Sequence, residues 1–258
     1  MFIEGSVMKE IITIINQKGG VGKSTTAYAI GAGLSFKGFK VLYIDLDAQG
    51  NLSYTIGSSS DYLSAMDVLS GTASARQAIQ NIEGVEIIPA SATLTTADTA
   101  IISVGKEYRL KEAIEPIEKE FDYIIIDTPP ALGILTINAL TACTSVIIPA
   151  QADIYSLQGI SQLYSTIQAV KQYCNPELKI SGIVLTRYNH RAILSREVAE
   201  TIKEAAENIN TKLYRTSIRE CISVKEAQAN KQDIFTYAPK SNAAIDYAAL
   251  VDEILERN

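Results

Sequence analysis

Residues 17–25 read Gln17-Lys18-Gly19-Gly20-Val21-Gly22-Lys23-Ser24-Thr25 and follow directly on the apolar run Ile11-Ile12-Thr13-Ile14-Ile15. Glycines at these positions let backbone N–H groups turn inward around phosphate oxygens, and a helix that starts near Lys23 aims its positive end at the same point. The common phosphate-loop pattern is G-x-x-x-x-G-K-[ST]. Here Gln17 stands where that pattern has glycine, and Lys18 adds a second cation beside the loop. In such a loop Gly19, Gly20, Val21 and Gly22 supply amides, and Lys23 neutralises β/γ-phosphate charge. The Ser24 hydroxyl ligates Mg²⁺, and Thr25 completes the nucleotide-binding set. A plain glycine-rich turn between strand and helix is the alternative, and the order strand, loop, helix argues against it.

Two more apolar runs close in carboxylates. Val41-Leu42-Tyr43-Ile44 leads into Asp45-Leu46-Asp47, where strand alternation sends Asp45 and Asp47 to the same side. Tyr123-Ile124-Ile125-Ile126 leads into Asp127, the form of a Walker B segment whose Asp holds Mg²⁺ through water. Phosphoryl transfer to water needs positioning and charge neutralisation more than covalent help. Asp47 is therefore the candidate for orienting the attacking water, Ser24 and Asp127 for the metal, and Asp45 for supporting the metal or Lys23. Alone, each Asp reads as a solvated strand end or a helix cap; together with residues 17–25 they read as nucleotide chemistry.

The elements that must position these groups alternate along the chain. Strands are expected over 11–16, 41–46, 85–88, 122–127, 145–149 and 180–186, with a further candidate at 213–217. Helical stripes run through Ile160, Leu163, Tyr164, Ile167 and Val170, and through Val198, Ile202, Ala205 and Ile209. This alternation predicts an α/β fold, a single domain with a mostly parallel twisted sheet and helices on both faces. Ligands of such sheets sit beyond the carboxyl ends of the strands, which is where the motifs fall. Residues 48–80, rich in Ser, Gly and Ala, read as a surface excursion. The domain is taken as 9–258, preceded by a flexible extension over 1–8, with Met8 as a natural start.

Composition narrows the classes. The 258 residues are 47% hydrophobic, enough for a sizeable core. Cys143, Cys174 and Cys221 are scattered without a C-x-x-C pair, which reads as a reduced cytoplasmic protein with no disulfide framework or thiolate metal site. Residues 128–152 carry no charged side chain but include Pro129, Pro130, Gly133 and Pro149. A buried helix over 131–142 followed by a strand accounts for them better than a membrane span. Net charge is −6, although residues 187–240 hold ten Lys/Arg against seven Asp/Glu. That modestly basic third is compatible with DNA and equally with solvated surface. The lone His190 reads as a surface loop residue without a metal cluster.

Taken together the motifs resemble the ParA/Soj branch of the ParA/MinD family of deviant Walker A P-loop ATPases. The carriers are K-G-G-V-G-K-S-T at 18–25, I-D-L-D-A-Q-G-N at 44–51 and I-I-D-T-P-P at 125–130. L-T-I-N-A-L at 135–140 and I-R-E-C-I-S-V-K-E-A at 218–227 extend the likeness from residue 9 to about 256. The resemblance implies ATP and Mg²⁺ as cofactors, and slow hydrolysis stimulated by a partner. It implies a face-to-face homodimer with ATP, in which Lys18 reaches the nucleotide of the opposite subunit as an arginine finger does. It further implies non-specific DNA binding, a centromere-binding ParB-like partner and a cytoplasmic, nucleoid-associated role in moving plasmid, chromosome or integrated-element DNA. Asp47 falls at the family's catalytic aspartate, and the base is expected near Arg187, Ile218 and Arg219. Arg191 falls where Soj-like proteins have a DNA-contacting arginine. Ser223 occupies a second such position, with Arg219 and Lys225 as compensating DNA-binding candidates. Ala48 replaces the proline common after the catalytic Asp.

Branches of the same superfamily fit less well. A MinD-like membrane cycle needs a basic amphipathic C-terminal helix. Here the stripe Tyr247, Leu250, Val251 and Ile254 is accompanied by Asp246, Asp252, Glu253 and Glu256, which anionic lipid repels, so no membrane partner is expected. An iron-protein role needs a cysteine pair for a shared cluster, and none is offered. An ATP-gated scaffold that positions a non-DNA cargo would carry an identical site and stays open.

Overall fold

The structure, a computed structural model, describes residues 10–59 and 61–256. The expected extension over residues 1–8 lies outside the described residues. The strands are β1 (Glu10–Ile14), β2 (Val41–Asp45), β3 (Gln80–Ile82), β4 (Val85–Ile88), β5 (Tyr123–Asp127), β6 (Ser145–Ala150) and β7 (Lys179–Leu185). They form one sheet in the order β3-β4-β2-β5-β1-β6-β7. Neighbours pair in parallel except β3 with β4.

The helices are α1 (Lys23–Phe36), α2 (Asn51–Ile56), α3 (Ala65–Ser70), α4 (Ala75–Ala78), α5 (Ala97–Ala100) and α6 (Arg109–Ile114). They continue with α7 (Ile134–Ala142), α8 (Ile154–Tyr173), α9 (Ile193–Asn208), α10 (Ile222–Ala229), α11 (Ile234–Tyr237) and α12 (Asn242–Leu255). Parallel strands are covered on both faces and are therefore apolar throughout, with alternate residues serving two cores. Ile11, Leu42, Ile124 and Val146 pack on one side against residues of α3 and α6 to α9, such as Leu69, Leu110, Leu135, Leu163 and Ile202. Ile12, Tyr43, Ile125 and Ile147 pack on the other side against α1 and α12, through Ile30, Leu34, Leu250 and Val251.

Helix α1 lies unusually close to the sheet. A Cβ on Gly31 would sit 2.4 Å from the Tyr43 ring, and one on Gly33 would sit 2.8 Å from Val251. Tyr43 Oη donates to the Tyr28 carbonyl oxygen at 3.2 Å, so the ring runs under the helix and is held there. This close packing sets the height at which the amino end of α1 meets the preceding loop.

The structure departs from the expected elements in five places. Residues 48–80 are not a surface excursion: Leu52, Ile56, Ala65, Val68, Leu69, Ala75 and Ala78 are buried in the two cores. Small residues there permit tight turns between short helices whose apolar sides face inward. Strand β3 has no apolar run to mark it; it pairs with β4 across Glu83 and Gly84, both at positive φ, the geometry of a two-residue hairpin turn. Residues 213–217 run beside β7 but make only isolated bridges, Leu213 with Ile183 and Ile218 with Thr186. Between them the N–H groups of Arg215 and Thr216 donate to the Glu253 carboxylate, each at 3.0 Å, instead of to a neighbouring strand. The acidic side of α12 is correspondingly not all solvated, since Asp246 and Glu253 are buried at 8% and 5% exposure. Helix α7 begins at Ile134 rather than 131, its first N–H groups reached by the Asp98 carboxylate, which accepts from Ile134 N at 2.8 Å. Among the described residues no helix is long and apolar enough to cross a membrane.

Gly31→Ala forces its methyl into the Tyr43 ring. We expect urea unfolding to show a loss of about 1–3 kcal/mol; an unchanged midpoint would mean that α1 lifts off the sheet at no cost.

Candidate functional site

At the carboxyl end of β1 the chain passes through buried Ile15 and Asn16 into the glycine-rich loop. Asn16 Nδ2 donates to the Pro149 carbonyl oxygen at 2.7 Å, and its Oδ1 accepts from Lys18 N at 2.9 Å. Thr186 Oγ1 donates to the Val21 carbonyl oxygen at 2.8 Å, and Gln151 Nε2 to that of Gly20 at 3.3 Å. Gly20 and Gly22 have φ of 75° and 88°, the left-handed region in which side chains are strained. Gly22 caps α1, whose first turn has neither an acidic residue nor a side-chain cap. Its leading N–H groups and the positive end of the helix dipole are thus left for an anion.

Lys23 is 7% exposed and its Nζ lies 3.4 Å from the Lys18 carbonyl oxygen. Among the described residues it makes no ion pair. Burial lowers its pKa, and the charges of Asp127 and Asp47 offset part of that. Lys18 points elsewhere. Its ammonium pairs with the Asp153 carboxylate at the rim, both side chains about one third exposed at 33% and 32%. Asp153 is also the cap of α8, accepting from Ser156 N at 3.1 Å. Burial pushes the Asp153 carboxyl up, but Lys18 and Ser156 outweigh it and hold the group below its usual range.

The three aspartates converge because β2 and β5 are neighbours in register, with Asp45 opposite Asp127. Asp127 is fully buried, and neither carboxylate oxygen has a hydrogen-bond partner among the described residues. Burial first, and then the charge of Asp45, raise its pKa well above the carboxylate range; nearby Ser24 and Lys23 pull the other way. An orphaned buried carboxylate is an acceptor set for a cation. The Ser24 hydroxyl approaches it, so a small hard cation has one hydroxyl and one carboxylate here. Mg²⁺ fits that set, since it keeps most of its waters and phosphate ligands. No cluster of three or more His, Cys, Asp or Glu suited to a metal occurs among the described residues.

Asp45, expected beside the metal or Lys23, has both oxygens engaged otherwise. Oδ1 accepts from Asp47 N at 3.0 Å, and Oδ2 accepts from Ser53 N at 2.9 Å and Ser53 Oγ at 2.7 Å. Burial raises its pKa to about 6 against these bonds. Its carboxylate shapes the 47–53 segment and so places Asp47. Asp47 is itself buried at 8% and accepts from Gln49 N at 3.0 Å through Oδ1.

Arg187, Ile218 and Arg219 come together around a cavity of about 70 Å³ that also touches Val21, Gly22 and Thr25. Thr25 Oγ1 accepts from Gln228 Nε2 at 2.9 Å. Arg191 and Lys225 are exposed; Lys225 borders the cavity and Arg191 stands apart from the loop. Arg219 is not a free surface cation, because its guanidinium and backbone N–H all bind Asp246. His190 stacks edge-on to Tyr188 and meets Ser217 Oγ at 3.2 Å, as a surface loop residue. A larger cavity, about 1040 Å³, opens at the amino ends of β1, β6 and β7 beside Glu10, Ser145 and Lys179, and shares no residue with this site.

Asn16, Asp153 and Thr186 did not stand out in the motifs. Each lies at or just past the carboxyl end of a parallel strand, so examining every strand end for polar residues would have found them.

A family model described as an AAA domain matches residues 9–180. The chain is 39% identical over 252 residues to the sporulation initiation inhibitor protein Soj of Bacillus subtilis, covering 96% of this chain and 98% of that one. It is 36% identical over 253 residues to the chromosome partitioning protein ParA of Myxococcus xanthus, covering 96% and 88%. Among solved structures, cobyrinic acid a,c-diamide synthase from Mycobacterium smegmatis, with bound ATP analog and magnesium, is 34% identical. It superposes with a TM-score of 0.80 over 97% of this chain and 96% of that one.

Asp127→Asn removes the charge from the orphaned carboxyl and keeps its shape. The ligand-free protein is expected to gain on the order of 1 kcal/mol at neutral pH, and the gain should grow as pH rises because the native carboxyl, with its raised pKa, then carries its charge. The same variant should lose Mg²⁺-dependent stabilisation by ATP. Thermal melts with and without Mg·ATP read both effects, and a melt unchanged by either would remove Asp127 from the site.

Proposed function

The chain belongs to the ParA/Soj family of P-loop ATPases, and on that premise we propose that it is a DNA-partition switch which dimerises on ATP. The observation that carries the reading is the division of labour between the two lysines. Lys23 lies buried at the floor of the loop beside Asp127 and Asp47. Lys18 stands on the rim in an ion pair with Asp153, turned away from the loop that carries it. A rim ion pair one third exposed is worth little, about 0–1 kcal/mol, and exchanges readily for a phosphate. Lys18 is thereby free to serve a nucleotide held by a facing subunit.

The chemistry follows from the positions. Loop amides and the amino end of α1 hold the phosphate chain, and Lys23 neutralises its β/γ oxygens. Mg²⁺, when bound at Ser24 with Asp127 behind it, offsets the charge of the leaving phosphate. Asp47, placed by Asp45 and the Ser53 bonds, orients the attacking water. Burial of Lys23 keeps its field unscreened, and Lys18 from the partner supplies a second cation where charge develops.

The dimer binds duplex DNA without sequence preference, with Arg191 and Lys225 as the exposed contacts; Arg219 is already neutralised by Asp246. A centromere-binding ParB-like protein triggers hydrolysis, and the protein works in the cytoplasm on the nucleoid. Few phosphate contacts per subunit make binding weak and strongly salt-dependent. A MinD-like membrane cycle is disfavoured because the apolar stripe of α12 is buried against α1 rather than presented outward. A non-DNA cargo scaffold remains the competing reading.

Lys18→Ala should keep nucleotide binding by the monomer while ATP-dependent dimers, followed by light scattering, weaken by about tenfold or more, a loss of roughly 1.4 kcal/mol. Normal dimers at the same ATP concentration would refute a role in trans. Asp47→Ala protein should be trapped with ATP and bind arbitrary duplex DNA with ATP but not ADP, less at moderate than at low salt. An ATP dimer that ignores DNA would move the reading to the cargo scaffold.

A further inference from the structure

Helix α10 rests on thin support. Of its eight residues only Ala227 is buried, at 2% exposure, and Val224 packs at the margin of the core. Its link to the phosphate loop is a side chain. Gln228 Nε2 donates to Thr25 Oγ1 at 2.9 Å, across 203 positions of sequence. Among the described residues no other side chain of α10 hydrogen-bonds to α1.

Thr25 is the third residue of α1, and a threonine in a helix ordinarily gives its proton to the carbonyl four positions back. That carbonyl is Val21 O, which instead accepts from Thr186 Oγ1 at 2.8 Å. The Thr25 oxygen accepts from Gln228, and its proton has no acceptor among the described residues. A hydroxyl carries one donor and two acceptor sites. With an amide N–H already on the oxygen, what Thr25 has left to offer outward is its O–H. Thr25 and Gln228 both border the 70 Å³ cavity that starts at Val21 and Gly22, and a second cavity of about 20 Å³ beside Ser24. The unclaimed proton therefore stands at the end of the loop.

We infer that Gln228 is a positioning residue for the phosphate chain: it fixes the Thr25 hydroxyl so that its proton goes to a phosphate oxygen, and it fastens α10 to the occupied loop. Gln228 itself does not touch the nucleotide. The two hydrogen bonds share one oxygen, so each polarises the other, and a phosphate on Thr25 tightens the amide on the far side. Coupling of this kind is reciprocal, and whatever α10 contributes to ATP binding, ATP returns to the docking of α10. A helix with one buried residue sits at the low end of local stability, where such a gain shows as slower amide exchange. The inference rests on the reading of the loop as an ATP site and adds to it a residue outside the motifs.

The test uses the full chain with Mg²⁺, by calorimetry for affinity and by amide hydrogen exchange over residues 222–229. Gln228→Met keeps the length and removes the amide. Gln228→Glu offers the Thr25 hydroxyl an acceptor in place of a donor and so draws its proton away from the phosphate. ATP should bind about 3- to 10-fold more weakly to Gln228→Met, and more weakly again to Gln228→Glu. In the native protein Mg·ATP should slow exchange in α10 by a similar factor, and in Gln228→Met that slowing should be lost. Thr25→Val should weaken ATP by itself, and adding Gln228→Met to it should cost less than about twofold more, because Gln228 acts through Thr25. ATP affinity unchanged in Gln228→Met overturns the inference. So does a full, additive loss in the double variant. Exchange in α10 that quickens in Gln228→Met by the same factor with and without ATP overturns it too, since Gln228 would then only hold the helix in place. Native protein that binds no ATP would instead bring down the site reading beneath it. Should Thr25→Val fail to fold, the two Gln228 variants decide.

Discussion

A loop that offers its N–H groups to a ligand cannot use them to hold its own shape, so its shape must be fixed through its carbonyls and from outside. Here Thr186 and Gln151 donate to the carbonyls of Val21 and Gly20, Lys23 reaches that of Lys18, and Asn16 ties the loop's first turn to Pro149. Three of those anchors sit at or beyond the ends of β1, β6 and β7, and strand order in the sheet brings them to the same place. Close packing of α1 on Tyr43 fixes the other end of the loop. The N–H groups of Gly19, Gly20, Val21 and Gly22 have no acceptor among the described residues, while the carbonyls around them are held.

The second constraint is charge. Asp45 and Asp127 face each other across adjacent strands in a water-free interior, where like charges repel strongly. Asp45 is stabilised by three donors; Asp127 has none. Among the described residues the Asp127 carboxyl at the centre has no hydrogen-bond partner, and the buried Lys23 beside it makes no ion pair. Each group is destabilising alone, and on the proposed reading phosphate and cation would satisfy the two together. Binding and folding draw on the same residues, as is usual where function conflicts with stability.

The sheet and the site were legible in the sequence to different depths. Apolar runs closing in Asp45 and Asp127 marked two strands, and the sheet makes them neighbours with those carboxyl ends side by side. Periodicity found the long helices α8 and α9, whose apolar faces are wide. It failed for residues 48–80, where helices of four to six residues are too short to show a period. It failed again at 213–217, where strand-forming residues lie beside β7 but lose their ladder to Glu253, a contact set by the distant α12. The role of Asp45 was misjudged for a related reason: which donors meet a carboxylate depends on the turn that follows it, and Ser53 is eight positions away. The Arg219–Asp246 pair was invisible for the same cause, since nothing in either local segment announces the other.

The capture of the Arg215 and Thr216 N–H groups by Glu253 has an effect at the scale of the whole molecule. A parallel sheet that stopped at β7 would leave a row of donors and acceptors facing outward, a template on which a strand of another chain could add. The 212–218 segment lies over that row, with Tyr214 N and Ile218 N donating to β7 and the N–H groups of Arg215 and Thr216 turned back to the Glu253 carboxylate on α12. The covering segment and the glutamate together end the regular ladder on this side. An edge covered in this way keeps copies of the protein from adding to one another strand by strand.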